Sequence, residues 1–141
     1  MGRSLLQTSP VQLVDLRAGL VEVRQLVRRT AVEAGLPPAR VAEIVLAAHE
    51  VAMNALTHGR GQGAVRVWTT GSELVCEVED RGPGISDPDS GLLPPSPTKA
   101  RGRGLWIARQ LSQAVEIESA GRGARVRLRV NLGRDARRRA S

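Results

Sequence analysis

His49-Glu50-Val51-Ala52-Met53-Asn54-Ala55-Leu56-Thr57-His58 reads as the end of a long amphipathic helix. Val41, Ile44, Val45, Ala48, Ala52, Ala55 and Leu56 recur at helical spacing, while Glu43, Glu50, Asn54 and His58 collect on another face. Glu50, Asn54 and His58 therefore stack one turn apart. A carboxylate, an amide oxygen and an imidazole in such a row are donors suited to holding Mg²⁺ or taking a proton. The same spacing also describes the wet face of any surface helix, so this stretch alone fixes the helix and not its use.

Two segments downstream give the helix a context. Glu77-Val78-Glu79-Asp80 alternates as a strand and runs into Arg81-Gly82-Pro83-Gly84-Ile85, a turn headed by an aspartate. Gly102-Arg103-Gly104-Leu105-Trp106-Ile107-Ala108-Arg109 then sets two glycines ahead of a helical apolar pattern, where backbone N–H groups and the helix dipole can meet phosphate oxygens. In this order the three segments resemble the ATP-binding domain shared by histidine kinases, DNA gyrase and the bacterial anti-sigma-factor serine kinases. Glu50 to His58 looks like that family's N box, Asp80-Arg81-Gly82-Pro83-Gly84 like its first glycine box, and Gly102-Arg103-Gly104-Leu105 like its second. Nearly the whole chain, residues 10 to 131, falls within the resemblance.

The resemblance implies a Bergerat-type ATP-binding fold and a set of roles for ATP and Mg²⁺. Asn54 matches the asparagine that coordinates Mg²⁺, and Asp80 the aspartate that accepts a hydrogen bond from the adenine amine. Gly82 and Gly84 leave room for the base, and Ile85, His58 and Leu105 belong to the same nucleotide-binding set. Lys99, Arg101 and Arg103, beside Gly102 and Gly104, are candidates for charge-assisted contacts to the β- or γ-phosphate. Glu50 stands where the serine kinases of the family carry the carboxylate that activates the attacking hydroxyl; the competing role is support of Asn54 or of a metal-bound water. One position departs from the pattern. The family usually opens its last strand with Gly-Thr, whereas here Gly123 is followed by Ala124, and a hydroxyl toward the nucleotide is lost.

Composition sets the outer limits. A chain of 141 residues fits one domain with a real core, divided as an N-terminal segment 1–9, an ATP-binding domain 10–131 and a basic, disordered tail 132–141. No apolar run is long enough to span a membrane, and Met1-Gly2-Arg3-Ser4-Leu5-Leu6 lacks the apolar core of a secretory signal, which points to the cytoplasm. The single Cys76 excludes an internal disulfide and a multi-thiolate metal site. The net charge of +7 is uneven: residues 1–98 carry nine Arg against eleven Asp and Glu, and residues 99–141 carry twelve Lys and Arg against three. Phe and Tyr are absent and only Trp68 and Trp106 remain, so stacking platforms for single-stranded nucleic acid are missing and direct nucleic-acid binding is not expected.

In chain order, Ser9-Pro10 reads as a helix start, with Leu16, Leu20, Val23, Val27 and Ala31 tracing its apolar stripe and Gly35 closing it. Leu36-Pro37-Pro38 opens the second helix, expected to pack antiparallel to the first and to stop at Gly59. Val65 and Val67 alternate with Arg66 and Trp68 before the turn Thr70-Gly71-Ser72 and the run Leu74 to Val78, a β-hairpin. Residues 86–101 have no period and match the family's lid over the nucleotide. A short helix from Leu105, a strand Val115 to Glu118 and a strand Ala124 to Val130 complete the pattern. The last strand puts Arg125, Arg127 and Arg129 on one face. The expected fold is a two-layer α/β sandwich, a mixed β-sheet with helices on one face.

The functional expectation is an ATP-binding regulatory serine/threonine protein kinase that resembles the anti-sigma factors, controlling a sigma factor and phosphorylating an anti-anti-sigma-type antagonist protein. Homodimers are frequent in that family, although no dimer face is marked in the sequence. The alternative is a non-catalytic, nucleotide-gated protein-binding module, or the ATP-binding piece of a larger sensor protein. Ala124 speaks for the module, and Glu50 with Asn54 for the kinase.

Overall fold

The computed structural model describes residues 10–58, 62–80, 106, 109–110, 114–119 and 123–132. They form β1 (Gln12–Asp15), a 3-10 turn (Leu16–Ala18), α1 (Leu20–Glu33), α2 (Pro38–His58), β2 (Gly63–Thr69), β3 (Glu73–Asp80), β4 (Ala114–Ser119) and β5 (Ala124–Asn131). Trp106, Arg109 and Gln110 are helical, within the short helix expected there.

The strands make one sheet in the order β1-β2-β3-β5-β4, and all four pairings among the described strands are antiparallel. Helices cover one face, so the two-layer sandwich stands. β3 and β4 run the same way, but β5 lies between them. Among the described strands, no two of like sense are neighbours.

The helix start expected at Pro10 is replaced by an edge strand. Gln12 to Asp15 pairs with Val67 to Ala64, and Asp15 then caps the 3-10 turn by accepting the Arg17 N–H at 2.8 Å. Gly19, with φ of 101°, ends the turn, and the first helix starts only at Leu20. Leu16 mimics a helical member of the stripe, but it enters the core from the turn, 1% exposed.

The junction between the helices forms as the sequence implies. Ala34 caps the C-terminus of α1, Gly35 takes φ of 89°, and two bonds close the end: Gly35 N–H to the Val32 carbonyl at 3.0 Å and Leu36 N–H to the Ala31 carbonyl at 3.2 Å. Pro38 sits at the first turn of α2, where a missing N–H costs nothing. This short connection folds α2 back along α1, and Arg24 of α1 donates to His49 Nδ1 of α2 at 3.1 Å. Since a guanidinium can only donate, Nδ1 of His49 is the bare nitrogen, and the residue serves as a structural tie.

Alternation sorts the two faces of the sheet. Val65 and Val67, Leu74, Cys76 and Val78, and Val126, Leu128 and Val130 point at the helices and pack with Val23, Leu26, Val27, Ile44, Ala48, Val51 and Ala52. Full burial of a side chain such as Leu128 or Ile44 stabilises the fold by about 1.5–3 kcal/mol. Burial also pushes the Cys76 thiol up to about 12, helped by the neighbouring Glu77 charge, so Cys76 is a protonated core residue.

The opposite face carries charges in register. The described ion pairs join Arg66, Arg125, Arg127 and Arg129 to Glu73, Glu77, Glu79, Glu116 and Glu118. Glu77 is nearly buried in their midst and accepts from both Nε and Nη2 of Arg127. The three arginines of β5, read from the sequence as part of a basic half, are thus matched locally by glutamates on β3 and β4.

Candidate functional site

Glu50 and Asn54 lie on α2, one turn apart and half-buried. Neither side chain takes part in a described hydrogen bond or ion pair, unlike the neighbouring Arg24–His49 tie or the Arg40–Glu43 pair. Asn54 falls near the C-terminal end of α2, where the carbonyl end of the helix dipole favours a cation. A neutral amide oxygen in that position suits Mg²⁺, which keeps several ligand positions for water and phosphate. Among the described residues there is no cluster of three or more His, Cys, Asp and Glu that would form an all-protein metal cage. His58 closes α2, and Gly59 lies outside the described residues.

Asp80 is the last residue of β3 and stands directly opposite two positions: Gly63 on β2 and Ala124 on β5. Residues paired across antiparallel strands share a face, and Asp80 is two residues beyond the core residue Val78, so it faces the helix layer. The Ala124 that replaces the family's usual threonine is therefore the immediate neighbour of the candidate adenine reader. Ala124 is 5% exposed, which leaves the Asp80 carboxylate beside a methyl group and not a hydroxyl.

Gly63 carried no functional expectation. Its φ is 151°, and a Cβ placed on it would lie 2.1 Å from the Glu79 carbonyl oxygen and 2.9 Å from the Asp80 Cα. The signal for it is in the sequence: counted outward from the Thr70-Gly71-Ser72 turn, the hairpin register sets Gly63 against Asp80.

Gly82, Gly84, Ile85, Lys99, Arg101, Gly102, Arg103, Gly104 and Leu105 lie outside the described residues, as does the lid expected between the glycine boxes. The described part of the site is thus α2 with Glu50 and Asn54, and the end of β3 with its two flanking strands. Among the described residues no helix is long and apolar enough to cross a membrane.

Comparison with known proteins agrees with this architecture. The chain is 28% identical over 104 residues to anti-sigma F factors of two Thermoanaerobacter strains, covering 67% of this chain and 73% of theirs. Among solved structures, the RsbU and RsbW domains of a Mycobacterium tuberculosis protein superpose with a TM-score of 0.64 at 21% identity, over 86% of this chain. This chain corresponds to only 32% of that structure. The histidine kinase domain of a blue-light activated kinase from Erythrobacter litoralis gives 0.54 at 24% identity, over 86% of this chain and 63% of the other. At such identities the structural likeness speaks for the fold alone. The model of the histidine kinase-like ATPase domain matches residues 14–130, from the edge strand to the last core position of β5, and the chain belongs to that family.

Proposed function

We propose that this domain is an ATP-dependent regulator of the anti-sigma type, which holds a sigma factor and phosphorylates a serine or threonine of an antagonist protein in the cytoplasm. The observation that carries the kinase reading is the pair on α2: a half-buried carboxylate one turn before a half-buried amide, neither engaged by another described side chain. The likeness to anti-sigma F factors supports the choice of partners. Asn54 would hold Mg²⁺, which when bound neutralises charge on the nucleotide phosphates. Asp80 accepts from the adenine amine. Glu50 takes the proton of the attacking hydroxyl as its oxygen bonds to the γ-phosphorus and ADP leaves. Gly82, Gly84, Ile85, His58 and Leu105 belong to the nucleotide cradle, with Gly102 and Gly104 presenting N–H groups and Lys99, Arg101 and Arg103 supplying charge. A homodimer forms part of the same reading.

Labelled ATP, incubated with the protein and a candidate antagonist, tests the reading. Removal of a positioned general base lowers transfer by roughly 10²–10⁴-fold, so Glu50→Ala should abolish labelling while ATP binding by calorimetry persists. Labelling that survives Glu50→Ala would remove Glu50 from the chemistry. A second reading draws on Ala124, which sits opposite Asp80 with no hydroxyl to offer. In it the domain binds nucleotide and controls its partner by occupancy alone, and the wild-type protein would bind ATP but label no antagonist.

A further inference from the structure

Resting on the reading of Asp80 as the adenine contact, we infer that Gly63 is a positioning residue for nucleotide selectivity: its bare Cα lets β2 lie close enough to set the place of Asp80. Gly63 pairs directly with Asp80, and its φ of 151° is one that L side chains rarely adopt. An added Cβ would meet the Glu79 carbonyl oxygen at 2.1 Å, the Asp80 Cα at 2.9 Å and Leu16 Cδ1 at 2.8 Å. Two of these three atoms are backbone of β3 and cannot swing aside. Any side chain at position 63 therefore displaces the Glu79–Asp80 peptide itself. Gly19 and Gly35 differ in kind. They too have positive φ, but an added Cβ would find nothing within 4 Å, so they serve turns. Leu16, 1% exposed, closes the space behind Gly63 and makes it a three-way contact of the turn, β2 and β3. On its other flank Asp80 is paired with Ala124 of β5.

The test is calorimetric titration of the full chain with ATP and with GTP, both with Mg²⁺. The two nucleotides share the triphosphate and differ in the base edge that Asp80 reads. Gly63→Ala should weaken ATP by about tenfold or more while GTP changes less, so that the ATP preference falls toward unity. In an Asp80→Ala background the same substitution should add less than about twofold, the signature of two positions acting as one. Gly19→Ala, strained but without a clash, should lower the melting temperature and leave the preference intact. Leu16→Val, which loosens the backing without a clash, should shift the preference in the same direction by a smaller factor.

A purely structural glycine would lower the melting temperature without touching base preference. A folded Gly63→Ala protein with wild-type preference, or a simple product of effects in the double variant, overturns the inference. If Gly63→Ala gives no cooperative melt, Leu16→Val decides, and an unchanged preference there overturns it equally. Asp80→Ala that binds ATP like the wild type sinks the adenine reading, and this inference with it. Asp80→Ala that loses ATP beside a folded Gly63→Ala that keeps it sinks the inference alone.

Discussion

The two faces of the sheet are built from the same strands and held by opposite chemistry. The helix-facing side is Val, Leu and Cys packed on α1 and α2, almost wholly removed from water. The outward side is a lattice of arginine and glutamate in which most members keep a third or so of their surface exposed. Apolar burial is additive in area and indifferent to partner, whereas exposed ion pairs gain little over solvated charges. The inner face should therefore carry the stability, and the outer face the register: a one-residue slip of β5 would drive Arg125, Arg127 and Arg129 into the core.

Truncation in the core gives the largest contrast. Leu128→Ala, at a fully buried site on the inner face of β5, should cost about 2–5 kcal/mol in urea unfolding through lost transfer energy and the cavity left behind. A cost below that range would mean that the helices close over the gap and that the inner face is less tightly packed than its burial implies.

Glu77 marks where the two faces converge. It belongs to the outer lattice, yet its side chain is 8% exposed, with Arg66, Arg125 and Arg127 all within 4.0 Å. Glu77→Ala strands arginines that lean on it and should cost about 1–3 kcal/mol, against at most about 0.5 kcal/mol for Glu118→Ala on the exposed rim. Equal costs at the two positions would erase the distinction between a buried hub and a solvated edge.

The inner face was legible because period is a local signal: alternation in β2, β3 and β5 and the helical stripe of α2 are written in consecutive residues. The lattice was not, since Arg127 and Glu77 meet only after the chain between β3 and β5 has brought those strands side by side. β1 was misread for a related reason. Leu16 is at helical spacing from Leu20, and nothing local shows that Gly19 turns the backbone between them. At the site, Glu50, Asn54 and Asp80 could be named from motif order. The adjacency of Asp80 to Ala124 joins two separate readings of the sequence into one place, and it exists only in the register of β3 with β5.

Acid should sharpen the contrast between the faces with the smallest effect. Hydrogen bonds from Arg125 and then Arg66 hold the Glu79 carboxyl below its ordinary value of 4.5. A carboxylate with a depressed folded pKa contributes stability that is fully present above its unfolded value and is lost as pH falls through the folded one. The melting temperature should thus hold level through neutral pH and decline below about 4.5. Glu79 is partly exposed, so water and salt screen the pair and the decline should be shallow. Glu79→Gln should flatten it further. The Cys76 thiol packed beside Leu128 on the inner face stays protonated to about 12, so Leu128→Ala should lower the whole curve without changing its slope. A Leu128→Ala curve that steepened in acid would show that packing and lattice are coupled through the strands, and that the two faces do not act independently.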